Sequence, residues 1–146
     1  MAVKFYTLAP DVAGELGEHT EMDTTVHPPR VSKLHYVLDS WPGDDLVESF
    51  PCFLISSTLS SGVRMSGLTG FDLAPVKVTL PPDAEELLDG HEVLGFQWLQ
   101  INGELAVDDF SQTPDATLVV SERALEYLLR KGSLENCDIE DYPASS

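Results

Sequence analysis

Two stretches of the chain, FLISSTLSSGVRMSG (Phe53–Gly67) and LVVSERALEYLLRKG (Leu118–Gly132), share one pattern of residues. Each begins with an apolar triplet, continues with a serine and ends at a glycine after a helix-length segment. A short apolar run is typical of a buried strand, serine is a preferred helix N-cap, and glycine often closes a helix. The pattern therefore predicts that the chain passes twice from a strand into a capped helix.

The second copy carries the stronger helix signals. Ser121 can accept a hydrogen bond from a free backbone N–H group of the first turn, and Glu122 places a negative charge where the helix dipole favours it. The leucines that follow recur with helical spacing, and Gly132 is predicted to close the helix in the left-handed conformation. In the first copy, Gly62 costs about 1 kcal/mol of helix propensity relative to alanine.

After its glycine, each copy continues with a leucine and a further strand, FDLAPVKVTL in the first and NCDIEDY in the second. An offset of 65 residues aligns Ser56 with Ser121 and Gly67 with Gly132. Two explanations are open: duplication of an ancestral unit, or the recurrence of a common capping pattern in unrelated segments.

Both explanations predict the same fold class. The chain of 146 residues has the usual size of one domain, and repeated strand–helix–strand order is typical of helices packed on a sheet. We therefore predict an α+β fold, a mixed sheet with two strand–helix–strand units and helices packed on it. The single domain spans residues 1–146 and has two loosely similar halves, about 1–80 and 81–146.

The remaining segments predict shorter elements. Strands are predicted at Val3–Leu8 and Leu34–Trp41, whereas residues 11–33 show little periodicity and are predicted to form a long irregular loop. A capping-box spacing in PPDAEELLDG predicts a short helix over residues 83–89. The Asn102–Gly103 dipeptide that follows FQWLQI predicts a hairpin turn.

The net charge of −17, from 25 acidic and 8 basic residues, restricts the partners of the chain. Because the acids are distributed along the whole sequence, the entire surface is predicted to be negative. Nucleic acid and anionic membranes require lysine and arginine to neutralise phosphate, so neither is a predicted partner. A basic protein partner is favoured, since opposite charge accelerates association, and general solubility is the simpler alternative.

Targeting signals are a separate question. No apolar run is long enough to span a membrane, and the first residues do not form a secretory signal. The sequence therefore predicts a cytoplasmic protein.

Two pairs of adjacent aspartates, Asp44–Asp45 and Asp108–Asp109, are the candidate carboxylates for a binding site. Adjacent residues of a strand point to opposite faces, and neither pair has the ligand spacing of a calcium loop. The contexts WPGDD and VDDF instead favour hydrogen bonds to nearby backbone amides. Trp41 is an aromatic residue of the kind that anchors protein interfaces, with packing in the core as the alternative.

The sequence predicts no catalytic, cofactor or metal site. The 4 histidines and 2 cysteines show no zinc-binding spacing, and neither a G-x-S-x-G motif nor a phosphate-binding loop is present. Cys52 and Cys137 lie in apolar runs and are predicted to be reduced core residues, with a bridge or redox pair as the alternative. The chain is therefore predicted not to be an enzyme.

A family resemblance rests on the segments YTLAPDVAGELG, HPPRVSKLHY, GDDLVESFPCFLIS, GLTGFDLAPVKV, FQWLQINGELAVDDF and LVVSERALEYLLRKGSLENCDIE. In this order, and over nearly the full length, the chain resembles immunity proteins of bacterial polymorphic toxin systems, including a myxobacterial subset. It lacks the paired C-x-x-C-G motifs that part of this subset carries. The resemblance implies a small cytoplasmic protein that binds and blocks a toxin made by a neighbouring gene and carries out no reaction.

Three functions are open on the sequence alone. The first is an immunity-type protein that binds and neutralises a basic toxin domain. The second is an acidic structural or assembly protein that pairs with itself as a homodimer, and the third is an enzyme that uses scattered carboxylates and histidines on a small ligand or metal. For the first function, the predicted contacts are the loop over residues 11–33 together with Asp44, Asp45, Asp108, Asp109 and Trp41.

Overall fold

Strands predominate in the structure, a computed structural model that describes residues 4–12, 14–26, 29–38, 44–79 and 95–142. Together with two helices in these residues, they give an α+β fold, which confirms the predicted class. The strands are β1 (Phe5–Ala9), β2 (Gly14–Leu16), β3 (Glu21–Asp23), β4 (Arg30–Lys33), β5 (His35–Leu38), β6 (Leu46–Ser49), β7 (Cys52–Ser56), β8 (Phe71–Ala74), β9 (Lys77–Thr79), β10 (Phe96–Ile101), β11 (Phe110–Gln112), β12 (Leu118–Ser121) and β13 (Asp138–Tyr142). The helices are α1 (Ser57–Met65) and α2 (Glu122–Lys131).

The described strands form four sheets. Sheet A has the order β11-β12-β1-β13 and sheet B the order β6-β7-β10-β8, and all neighbouring strands in both are antiparallel. Sheet C, with the order β2-β5-β9, contains the parallel pair β5–β9, and sheet D consists of β3 and β4. Where the sequence predicts one mixed sheet, the structure thus has several smaller sheets, and the two that carry the helices are antiparallel.

In each helix-bearing sheet, a strand from the other half of the chain lies between the strands that precede and follow the helix. Strands β12 and β13 flank β1 in sheet A, and β7 and β8 flank β10 in sheet B. Because both flanking strands are antiparallel to the inserted one, they run parallel to each other and the helix forms their crossover. The two halves of the chain are therefore interlocked by exchange of one strand each.

Both helices begin at the predicted serines. The side chains of Ser56 and Ser121 each accept a hydrogen bond of 3.2 Å from a backbone N–H group of the first turn. After α1, Gly67 has a φ of 83°, the left-handed conformation that favours glycine. The prediction of this conformation at Gly132 is wrong, because the backbone of that residue is extended. A β-carbon at this position would lie 2.9 Å from the Leu59 side chain.

One apolar core joins the two helices to sheets A and B. Leu59 and Val63 of α1 and Leu128 of α2 are buried in it together with strand residues such as Leu8 and Phe110. Since this core contains residues of both halves, the hydrophobic effect stabilises the exchanged arrangement as a unit.

Strand β7 lies between this core and a second one. Phe53 and Ile55 belong to the first core, whereas Cys52 and Leu54 belong to the second, which joins sheet B to sheet C. Burial on both faces explains why the strand is an unbroken apolar run. The second core also contains Leu34, Tyr36 and Leu38, which alternate along the strand predicted at Leu34–Trp41.

Three predicted elements differ from the structure or lie outside it. Residues 11–33, predicted to be irregular, contain β2, β3 and β4, which have only three or four residues each and are therefore too short to show apolar periodicity. The hairpin predicted at Asn102–Gly103 does not form, because β10 pairs with β7 and β8 while β11 pairs with β12. The predicted helix over residues 83–89 lies outside the described residues.

Helix α1 contacts α2 at Gly62, where a β-carbon would overlap the hydroxyl oxygen of Tyr127. Alanine at this position should stabilise the helix by roughly 1 kcal/mol through its higher propensity. Steric repulsion between its β-carbon and Tyr127 should offset this gain. We expect the Gly62→Ala change to be neutral or destabilising in the natural chain. In a Tyr127→Phe background, the same change should stabilise the fold by up to about 1 kcal/mol. A double-mutant cycle by urea denaturation measures this coupling, and additive effects would contradict the contact.

Candidate functional site

Asp109 is buried at the junction of the two halves and accepts hydrogen bonds from three residues. Its Oδ1 accepts from Ser121 Oγ at 2.6 Å and from Arg123 Nε at 2.8 Å, and its Oδ2 accepts from Arg123 Nη2 at 2.6 Å and from the backbone N–H of Thr69 at 2.9 Å. Burial raises the pKa of this carboxyl group, but the hydrogen bonds from Arg123, Ser121 and Thr69 outweigh burial and lower the pKa from 3.8 to about 2. Asp109 is therefore an ionised internal group.

Asp45 occupies the corresponding position in the first half. Its Oδ1 accepts a hydrogen bond of 2.7 Å from Ser56 Oγ, and its Oδ2 accepts one of 2.7 Å from the backbone N–H of Ser133. The Asp45 N–H also donates to the carbonyl oxygen of Ser133, at 2.9 Å. The carboxylate thus holds the start of α1 against the residue that follows the end of α2.

The hydrogen bonds of Asp45 and Asp109 follow the same pattern, with the roles of the two halves interchanged. Each aspartate accepts a hydrogen bond from the N-cap serine of its own half, and each accepts one from a backbone N–H group that follows the helix of the other half. A buried carboxylate with several donors is positioned and stabilised by them. The two aspartates therefore link the halves at both helix starts.

The other two predicted aspartates also have partners inside the chain. Asp44, which is 4% exposed, accepts hydrogen bonds from the backbone N–H and the side-chain amide of Asn136. Burial raises its pKa more than these bonds lower it. Asp108 accepts a 2.6 Å hydrogen bond from the backbone N–H of Glu104, which is the nearby amide interaction that the sequence favours for these pairs.

The partner contacts expected at these residues stay a prediction, and the burial of the side chains determines which variants can test them. Asp44 and Asp109 expose only 4% and 5% of their surface, so a partner would meet little of either. Charge reversal at Asp109 would remove the hydrogen bonds that link the two halves, so a change in partner binding could not be assigned to a lost contact. Trp41 lies outside the described residues.

A more accessible group of acids lies on β13, which pairs with β1 and forms an open edge of sheet A. The acidic edge is defined here as Asp138, Glu140 and Asp141, all of which are exposed. Among the described residues, no lysine, arginine or histidine lies within salt-bridge distance of these carboxylates. The sequence predicted this strand, but not its position at the edge, because the position depends on the pairing with β1.

A groove lined by residues of β4 and β10 contrasts in charge with this edge. Two cavities of about 290 Å³ and 520 Å³ share Trp98 and Gln100 of β10, and residues of β4 line both. Arg30 borders the first cavity, and Lys33 and Lys77 border the second. Arg30 and Lys33 lie close together in the sequence, whereas Lys77 joins them through the parallel pairing of β5 and β9.

Both cysteines and one buried histidine of the described residues have shifted pKa values. Burial raises the pKa of Cys52 to about 12 and that of Cys137 to about 11, so neither supplies a thiolate at neutral pH. Burial also lowers the pKa of His35, whose Nε2 lies 2.8 Å from the hydroxyl of Thr79 and whose Nδ1 accepts a hydrogen bond from the backbone N–H of His19. Within the described ranges, no three histidine, cysteine or acidic side chains converge as metal ligands.

Comparison with known proteins does not assign this chain to a family. No family model, curated protein or solved structure matches the chain. In the part of the chain that the structure describes, no helix has the length and apolar character needed to cross a membrane.

Proposed function

We propose that this chain is a non-catalytic immunity-type protein that binds and neutralises a basic toxin domain in the cytoplasm. The family resemblance suggests this role, and the acidic edge is the single structural observation that supports it most directly. Its three carboxylates are exposed on an open strand and have no cationic partner among the described residues. The uncompensated charge is therefore free to interact with another molecule.

An open acidic strand suits a basic protein for two reasons. No other described strand pairs with the outer side of β13 in sheet A, so its outer backbone N–H and C=O groups can pair with an extended segment of a partner. The carboxylates and the net charge of −17 attract a positive surface and accelerate the encounter. Toxins that cleave nucleic acid have such a positive surface in their active-site cleft, because they must bind phosphate.

The same edge disfavours self-association as the alternative function. If β13 paired with β13 of a second copy, identical carboxylates would lie opposite one another, and like charges across neighbouring strands are destabilising. Charged residues on an edge strand are a common device against such pairing. A homodimer through this edge is therefore the weaker candidate.

We further infer that the two strand–helix–strand units are equivalent building blocks that give the protein a rigid body. Support comes from the matching serine caps, the matching Asp45 and Asp109 networks and the reciprocal exchange of β1 and β10. An inhibitor benefits from such rigidity, since a surface that is already ordered loses less entropy on binding.

The test requires a toxin-like domain encoded beside this gene, which the family resemblance implies. Co-expression of the natural chain should restore growth to cells that produce this domain, and the purified proteins should associate at a rate that falls as salt concentration rises. The triple variant D138N/E140Q/D141N should slow association about 10-fold at low salt. A matched variant, D115N/E122Q/E126Q, removes three exposed acids that lie outside the predicted contact surfaces and should change the rate less than about 2-fold.

Two outcomes would contradict different parts of the proposal. If the natural chain neither protects cells nor binds the neighbouring domain, the immunity function is wrong. If it protects, but both triple variants slow association equally, the acidic edge is not the contact surface and only the general negative charge matters.

A further inference from the structure

We propose that the Trp98 groove, formed by the two cavities that share Trp98 and Gln100, binds a small amphipathic anion: an apolar body with one carboxylate, phosphate or sulfonate group. This ligand site goes beyond toxin inhibition and shares no residue with the acidic edge. Its shape, lining and charge each support this class of ligand.

The groove has the size and lining of a small-molecule site. Its cavities of about 290 Å³ and 520 Å³ are comparable with the pockets that hold small ligands in proteins. Apolar groups of Leu34, Ala74, Val76 and Trp98 line the larger one. The Gln100 side chain lies at the boundary of the two cavities and offers both a hydrogen-bond donor and an acceptor.

The charge at the groove is opposite to that of the molecule. Arg30, Lys33 and Lys77 are three of only 8 basic residues in a chain with 25 acidic ones. Hydrogen bonds from Thr25 and, more weakly, the charge of Arg30 lower the pKa of Asp23. No described carboxylate, Asp23 included, lies within salt-bridge distance of any of the three cations. The register of sheet D places Asp23 opposite Arg30 and Glu21 opposite Lys33, but neither carboxylate forms an ion pair with these cations. Three cations that lack an ion pair with any described residue, next to an apolar cavity, favour a ligand that supplies a negative charge.

The surrounding charge limits the ligand to a small one. A nucleic acid or a strongly acidic protein would meet three cations at the groove and repulsion from the remaining negative surface. A ligand with one anionic group gains the local attraction, and its repulsion from more distant acids is reduced by salt screening. Its apolar part gains further free energy by displacing water from the Trp98 cavity.

Trp98 provides a direct measurement of binding. The chain has 2 tryptophans, so the Trp41→Phe variant leaves Trp98 as the single fluorescent reporter in the groove. Three probes separate the contributions: octanoate has both an apolar chain and a charge, octan-1-ol has the chain alone, and inorganic phosphate has the charge alone. Octanoate should change Trp98 fluorescence with an affinity about 10-fold or more above that of either other probe.

Charge variants complete the experiment. Lys33→Met with Lys77→Met should weaken octanoate binding about 10-fold and leave octan-1-ol binding unchanged. Lys4→Met with Lys131→Met removes two exposed cations elsewhere and should leave both affinities unchanged. Thermal unfolding of each variant establishes that it is folded before it is titrated.

The proposal is overturned if octan-1-ol binds as tightly as octanoate, if the two double variants weaken octanoate binding equally, or if none of the probes changes Trp98 fluorescence at millimolar concentration. Phosphate binding as tight as that of octanoate would also overturn it, because the apolar cavity would then contribute nothing. None of these results depends on the toxin partner, so the site and the proposed immunity function fail separately.

Discussion

Replacing Asp109 by asparagine is expected to lower the free energy of unfolding by about 3 kcal/mol, whereas the same change at Asp108 should cost less than about 1 kcal/mol. The Asp109 carboxylate accepts hydrogen bonds from Ser121, Arg123 and Thr69, and its side chain is almost fully buried. An asparagine would place an NH₂ group opposite one of these donors and leave Arg123 without its ion partner. Asp108 loses only one bond to a nearby amide, so it serves as the matched control.

The effect of Asp109→Asn should depend on pH in a defined direction. The pKa of Asp109 is about 2 in the folded protein and 3.8 in the unfolded reference, so its stabilisation is fully present above the unfolded value and is lost as pH falls through the folded value. The stability difference between the natural chain and the variant should therefore be constant above pH 5 or so and shrink by about 2 kcal/mol between roughly pH 4 and pH 2. Asp44 and Glu48, whose pKa values burial raises, titrate in both proteins and largely cancel in this difference.

Urea unfolding at a series of pH values measures both expectations. A constant difference across the acidic range would mean that Asp109 is not held as an ion by Arg123 and its other donors. Equal costs for the Asp109 and Asp108 variants would mean that the link between the halves contributes little to stability.

Features that depend on near neighbours in the sequence were predictable. The caps at Ser56 and Ser121 form with residues of the following turn, and the alternation in β5 follows from the two-residue period of a strand. Gly67 closes α1 in the left-handed conformation, a role that requires no distant partner. These features require only the local chain.

Features that depend on distant pairing were not predictable in the same way. The aspartate pairs were expected to bond nearby amides, and Asp108 does so, but the backbone partners of Asp45 and Asp109 lie 88 and 40 residues away. The segment FDLAPVKVTL predicts one strand, whereas it is divided at Pro75 between sheets B and C. This division places Lys77 at the Trp98 groove, so the groove follows from topology that the local sequence does not specify.

Gly103 shows how the same residue type can serve a different purpose from the predicted one. An asparagine–glycine pair after a strand predicts a hairpin turn because glycine tolerates the left-handed conformation. Here the glycines with positive φ among the described residues are Gly67 and Gly70, and Gly103 is not one of them. Instead, Gly103 lies against Gly70 and the backbone of Phe110, where the chain leaves sheet B for sheet A. Its missing side chain permits this close crossing.

The Gly103→Ala change is therefore expected to destabilise the fold by about 3 kcal/mol or more. A β-carbon there would overlap the Phe110 carbonyl oxygen and lie 2.8 Å from the Gly70 Cα, and both obstacles are backbone atoms that cannot rotate away. Gly67→Ala is the matched control: position 67 has open space around it, so its cost should be only the roughly 1 kcal/mol of a left-handed alanine. Urea denaturation compares the two. If alanine costs the same at both positions, the backbone segments at Gly103 and Gly70 can move apart without loss of packing. The apolar core and the aspartate networks would then be the interactions that stabilise the exchange of β1 and β10.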